Sequence, residues 1–222
     1  MGISFYREKE SKNLRSSIAQ IFSETGEGLV LRGKKFQWEG KGYPHLDASS
    51  AFKLLSDAID LYKKHWKIVP RRLILHKSSF YDEEELDGFY KAIKNIPVYD
   101  FLSFGYTNIR FLRSSIKYPV LRGTTAKTPN NKLLIYIKGF NPYLKTYRGH
   151  GIPRPLFISH HHGDTPLKSL SDELMSLSRL NWNSADFCLN SPITTHFARQ
   201  IGHILSEYNP KKPIQREYRF YM

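Results

Sequence analysis

The stretch between Asp100 and Asp164 carries ten cations and no acid over 63 positions. The cations are Arg110, Arg113, Lys117, Arg122, Lys127, Lys132, Lys138, Lys145, Arg148 and Arg154. At the chain's frequency of 20 acids in 222 residues, about six acids would be expected there. Tyr106, Tyr118, Tyr136, Tyr143 and Tyr147 are interleaved with the cations. Fixed positive charge beside aromatic faces is suited to a polyanion, above all a phosphate backbone. Two further groups bear on catalysis. The run Asp82-Glu83-Glu84-Glu85 could ligate a hard cation, but acids in a first helical turn also complement the helix dipole and cap its free N–H groups. In His160-His161-His162 only the first and third residues would share one face of a strand, and two ligands do not make a structural zinc site. That triplet reads as a strand end facing phosphate or solvent. The single Cys188 excludes an internal disulfide and a Cys-based zinc cluster.

The elements that must position these groups follow from periodicity. Residues 2–6, 14–23 and 29–36 read as an antiparallel meander, with a Gly-rich link at Glu24–Gly28. Asp47 is a candidate N-cap for a helix with Ala51, Leu54, Leu55, Ala58, Ile59 and Tyr62 on one face. Pro70 ends that segment. Arg71–Lys77 reads as a buried strand, Asp82–Asn95 as a second helix and Val98–Phe104 as another strand. The order β-β-β-α-β-α-β predicts an α/β fold, a ribonuclease H-like mixed sheet flanked by helices. Further strands are expected at Asn108–Leu112, Leu133–Ile137 and Leu156–His160, with helices near Leu167–Leu180 and Pro192–Tyr208. Thr124–Lys132 reads as a polar, mobile loop.

Forty per cent apolar residues is enough for a core, and the net charge of +14 favours nucleic acid or an anionic surface. No apolar run approaches the roughly 20 residues that span a bilayer. The N-terminus lacks a signal-peptide core, so a cytoplasmic protein is expected.

The last third of the chain is specific. It reads IPRPLFISHHHGD, then LMSLSRLNWNS, then NSPITTHFARQIGHIL, and ends YRFYM. With HKSSF after the RRLIL strand and PVLRGT at 119–124, the chain resembles the PIWI domain of a prokaryotic Argonaute over nearly its whole length. The resemblance implies one PIWI domain over residues 1–222, with the MID, PAZ and N lobes outside this chain. The chain would then be either a fragment or one half of a split gene product.

Active members of that family hold two metals on carboxylates. The corresponding positions here are Ser4, the Lys77-Ser78-Ser79 stretch and Arg199, with His196 one turn earlier. The resemblance therefore implies an inactivated nuclease rather than an enzyme, since a cation at Lys77 or Arg199 would repel a metal pair. It also implies guide binding. The C-terminal carboxylate of Met222 would help hold a divalent cation, Mg2+ or Mn2+, at the guide 5′-phosphate. The tail Tyr218–Met222 would be pinned as an extended segment. Arg179, Asn181 and Asn183 would meet guide phosphates, with Trp182 as a packing anchor. Thr194 and His196 would stand where a phosphate meets a helix N-terminus. Arg122, Lys127, Arg148 and Arg154 would wall the guide–target channel. The expected partners are a short RNA or DNA guide, its complementary target, a MID domain in cis or in trans, and an effector protein, in defence against invading DNA. An active nuclease with displaced acids and an unguided binding protein of the same fold are the alternatives.

Overall fold

A computed structural model describes residues 1–8, 14–22, 28–36, 38, 42–114, 118–129, 132–147, 151–181, 184, 186–209 and 212–221, with the main chain alone at 14–22 and 218. Eight strands form a single sheet: β1 Gly2–Arg7, β2 Leu14–Phe22, β3 Gly28–Phe36, β4 Arg72–Lys77, β5 Val98–Tyr106, β6 Thr125–Thr128, β7 Lys132–Ile135 and β8 Leu156–Gly163. Their order is β3-β2-β1-β4-β5-β8-β7-β6. The meander β1–β2–β3 is antiparallel, β4 runs parallel to β1, and β5 runs parallel to β4. Four helices accompany the sheet: α1 Ala48–Trp66, α2 Glu83–Ala92, α3 Leu167–Leu177 and α4 Ile193–Glu207. This is the ribonuclease H-like α/β arrangement that the element order predicts.

Strand alternation divides the core between two faces. Ile3, Leu73, Leu75 and Phe101 pack with Ala51, Leu54, Leu55, Ala58 and Ile59 of α1 and Phe89 of α2. Leu102, Phe104, Leu133, Ile135, Leu156 and Ile158 pack with Leu170 and Leu174 of α3. Tyr6 and Val30 pack with Ala198, Ile201 and Leu205 of α4. The central strand β4 is covered on both faces, with Leu73 and Leu75 packed on one side and Ile74 and His76 on the other. Asp47 and Asp82 cap α1 and α2, accepting from Ser50 N at 2.8 Å and Glu84 N at 3.0 Å.

Three local expectations are corrected. Asn108–Leu112 is not a strand, because side chains take over its main chain. Arg110 donates to the carbonyls of Thr107 and Ile109, each at 2.8 Å, and the Tyr136 hydroxyl accepts from Phe111 N at 2.8 Å. Thr124–Lys132 is not simply a loop, since it contains β6, paired antiparallel to β7. The tail is packed but not extended. Val30 N donates to Arg216 O at 2.6 Å, and Tyr218–Tyr221 then turns as a 3-10 helix that seats Tyr221 against the α4 core. Met222 lies outside the described residues.

Two buried charge systems tie the layers together. Lys77 and Glu85 are both fully buried and ion-paired, and Lys77 Nζ also donates to Phe80 O at 3.0 Å. Leu46 N donates to the other oxygen of Glu85 at 3.1 Å. Burial lowers the Lys77 pKa and raises that of Glu85, with the mutual attraction opposing both shifts. Only part of the acidic run therefore serves as a helix cap, since Glu85 is a core residue. The second system is Asp100. It accepts from Arg72 at 3.0 Å and from Thr165 Oγ1 at 2.7 Å, and its other oxygen lies 2.9 Å from His161 Nε2. Arg72 reaches on to Glu173 of α3. Burial pushes the Asp100 pKa up, but the hydrogen bonds from Thr165, His161 and Arg72 outweigh it and hold the carboxyl below its ordinary value.

Two predictions follow from these charges. Lys77→Met strands a buried carboxylate and should cost about 3–5 kcal/mol. Adding Glu85→Gln should recover most of that loss, because Gln still accepts from Leu46 N; urea denaturation measures both. Asp100 has a depressed folded pKa, so its stabilisation is present above the ordinary value of 3.8 and is lost as pH falls through the lower folded value. Asp100→Asn should cost ~1.5–3 kcal/mol at neutral pH and flatten the acid limb of a stability–pH curve.

Candidate nucleic-acid interface

The ends of β1 and β4 meet the start of α4. Gly2 lies against the Thr194 carbonyl so closely that a Cβ there would collide with main chain. Only glycine fits, and its lack of a side chain lets α4 settle on the sheet. His76 Nδ1 and Thr194 Oγ1 are 2.7 Å apart, both residues buried. Burial holds the His76 imidazole well below its ordinary pKa, so it sits neutral beside the hydroxyl. The helix begins after Pro192 without a side-chain cap. Thr194 thus does not take its expected role at a phosphate. It is buried, and its hydroxyl is engaged within the protein rather than offered to a phosphate.

Ser4 shares the α4 face of β1 with Gly2 and Tyr6, by strand alternation. It is 7% exposed. Lys77 points to the opposite face, where Glu85 neutralises it and the rings of Phe5 and Tyr81 flank it at 5.2 and 5.3 Å. The expectation that the Lys77 cation stands in the metal position is therefore corrected: strand alternation turns the side chain away. Ser78 is exposed, and Ser79 donates to Pro44 O at 3.1 Å. Among the described residues no three His, Cys, Asp or Glu side chains come together as a metal would require. The histidine triplet is engaged internally. His161 meets Asp100, while His160 and His162 lie against the rings of Phe80 and Tyr81.

The polar residues on the outer side of α4 look onto a cavity of about 600 Å³. His196 and Arg199 line it together with Asn181, Lys138, Gln200 and Tyr221. Burial, then the neighbouring Arg199, lowers the His196 pKa. A second cavity of about 510 Å³ shares Lys138 and Asp186 with the first and adds Arg122 and Phe187. A third, lined by Arg122, Met175 and Arg179, shares Arg122 with the second. Through these shared lining residues the three cavities adjoin as a grooved band beside the end of α3, the segment 120–123, α4 and the tail. Gly139 runs against the 120–122 main chain with no room for a side chain: a Cβ there would come within 2.6 Å of Arg122 N.

Five of the ten expected contact residues line this groove: Arg122, Arg179, Asn181, His196 and Arg199. Arg122 is a brace as well as a charge. One guanidinium nitrogen donates to Met175 O at 3.1 Å and Ser178 Oγ at 2.8 Å, fixing the last turn of α3. Lys127 and Arg154 are exposed but do not line the groove. Arg148, Asn183 and Trp182 lie outside the described residues. Sequence reasoning missed Lys138, Gln200 and Phe187 as lining residues. Lys138 was visible only as one of ten cations, and nothing local distinguishes it from the rest. Tyr221, one position before Met222, lines the cavity that carries Asp186 on its wall.

No protein family's sequence profile matches the chain, and no curated protein matches it in sequence. Among solved structures it is similar to the Argonaute of Clostridium butyricum bound to a guide DNA with a 5′ deoxycytidine and a 19-mer target DNA, with a TM-score of 0.69 and 17% identity. The match covers 92% of this chain and 26% of that one, so this chain spans about a quarter of that protein's length. An identity this low speaks to the fold, which is Argonaute-like.

Thr194→Val should destabilise the protein by about 1–3 kcal/mol, because His76 Nδ1 loses its buried partner. His196→Ala and Arg199→Ala, on the groove side of the same helix, should stay within about 0.5 kcal/mol of the parent. Parallel denaturation curves check both.

Proposed function

We propose that the chain is a PIWI module that holds a guide strand and its paired target through their backbones, without cutting. The observation that carries this reading is the groove. It gathers Arg179, Asn181, Arg122, Lys138, His196, Arg199 and Tyr221 from five separate segments of an Argonaute-like fold. Cations and amides there donate to phosphate oxygens without reading bases, which a protein loaded with arbitrary guides requires. The lack of catalysis rests on Ser4 and Ser78 at the strand ends and on Arg199 in the last helix. Of these, Arg199 contributes a charge on the groove side rather than a ligand. The carboxylate of Met222 would hold Mg2+ or Mn2+ at the guide 5′-phosphate, beside Tyr221, with a MID domain completing the pocket. Any effect on invading DNA would come through occupancy or an associated effector.

Binding of a 5′-phosphorylated strand should fall with salt, at a log–log slope of roughly −4 for six phosphate contacts. Arg179→Glu with Arg199→Glu should weaken binding alike for all sequences and lower the slope by about 2. An affinity that is flat with salt would overturn the groove as the binding surface. Guided targets should stay intact in Mg2+ or Mn2+; turnover abolished by EDTA would establish a nuclease instead. With a MID domain supplied, deleting Tyr221 and Met222 should lower the preference for 5′-phosphate over 5′-hydroxyl guides. An unchanged preference would remove the tail from the phosphate site.

A further inference from the structure

The middle cavity of the groove has a chemistry that backbone binding does not use. Its volume of about 510 Å³ is within the range of small-ligand sites. Three apolar side chains, Phe187, Tyr147 and Leu144, stand on its walls. The Phe187 ring is 37% exposed and fixed in place, with the Arg122 guanidinium 5.3 Å and the Arg179 guanidinium 4.8 Å from its centroid. One wall is a closed turn. Asn141 Oδ1 accepts from Tyr143 N at 3.0 Å, and Asn141 and Thr146 exchange main-chain hydrogen bonds. Arg122 and Lys138 supply positive charge, and neither forms an ion pair with a described residue. Opposite in sign stands Asp186, exposed and likewise without an ion-pair partner among the described residues. Its main-chain N–H donates to Ser184 Oγ at 3.1 Å, which fixes the loop at that point.

We infer that this cavity is a pocket for one unstacked guanine nucleotide. The exposed part of the Phe187 ring, flanked by the Arg122 and Arg179 guanidiniums, offers an aromatic contact to a base of any kind, and Arg122 and Lys138 suit the attached phosphate. Asp186 supplies the discrimination. An ionised carboxylate only accepts hydrogen bonds. Guanine presents two adjacent donors, N1–H and the N2 amino group, on its pairing edge. Adenine presents an amino group beside a bare ring nitrogen that a carboxylate repels, and the pyrimidines present one donor. Reading an extruded base by its pairing edge while stacking it on an aromatic side chain is an established mode of nucleic-acid recognition. Lys138 and Asp186 belong to both this cavity and the outer one, so the pocket adjoins the surface proposed to hold the strand. The inference deepens the proposed backbone-binding function by adding one sequence-selective point to it.

The test uses the full 222-residue chain and two sets of probes. In the first, GMP, AMP and inorganic phosphate are titrated calorimetrically. GMP should bind roughly 5–10-fold more tightly than AMP, the scale of one two-point base contact. Asp186→Asn should bring the two ratios together, and Phe187→Leu should weaken both nucleotides while the circular dichroism spectrum stays that of the parent. In the second, an oligo-dA strand is compared with the same strand carrying one central dG. The dG strand should bind more tightly, and the difference should vanish in Asp186→Asn. GMP binding no tighter than AMP or phosphate would overturn the pocket, even where both strands bind in a salt-dependent way and the groove stands. GMP selectivity without binding of either strand would keep the pocket as a site for the free nucleotide and remove the groove as a strand-binding surface.

Discussion

The seating of α4 on β1 and β4 fixes most of what lies around it. Thr194 can approach β1 only because Gly2 has no side chain, and the His76–Thr194 hydrogen bond sets how α4 lies against β4. With that contact made, helical periodicity places Ala198, Ile201 and Leu205 on the sheet. The same rotation puts His196 and Arg199 outward, beside the tail and Lys138. The outer end of the groove is therefore a consequence of how the inner side of one helix packs. A bulkier residue at position 2 would move the outer end of the groove along with the core.

Charge is divided in a way that supports the proposed function. Charges taken into the interior are neutralised there: Lys77 by Glu85, and Asp100 by Arg72 with help from His161 and Thr165. An unpaired ion in the core would be costly, so these partners were required by burial itself. Cations along the groove lack such partners among the described residues. Arg122 and Arg179 lean on the Phe187 ring, and Lys138 and Arg199 face open cavities. Positive charge left unneutralised in a concave surface raises the local concentration of anions. A phosphate backbone following the groove would meet these charges in succession.

The strand ends tell a different story from the one their sequence invites. Lys77 looks like a cation placed where a metal ligand belongs, yet strand alternation turns it to the α1–α2 side. The α4 side carries Ser4 and His76 instead, and His76 is kept neutral by burial. The proposed lack of catalysis therefore does not rest on repulsion by Lys77. It rests on Ser4 and Ser78, and on the finding that among the described residues no three His, Cys, Asp or Glu side chains gather as a metal would require.

Short-range regularity was legible in the chain itself. The strand–helix order, the Asp47 and Asp82 caps and the apolar stripe of α1 depend on neighbours within a few positions, and periodicity records these directly. The acid-free span likewise showed that this protein has positive charge in excess, because charge is a property of composition. Partners distant in sequence were not legible. Nothing near Glu85 marks it as a core residue, since its burial depends on Lys77 and on the main chain at Leu46. Nothing near Arg122 announces that it braces the end of α3, or that Phe187 stands beside it. Asn108–Leu112 had a strand's alternation, but the Tyr136 hydroxyl and the Arg110 side chain claimed its main chain first. Which of the ten cations line the groove was decided only by tertiary structure. A lysine on an edge strand and a lysine at a cavity wall have the same local sequence signal, and they differ only in what the rest of the chain brings beside them.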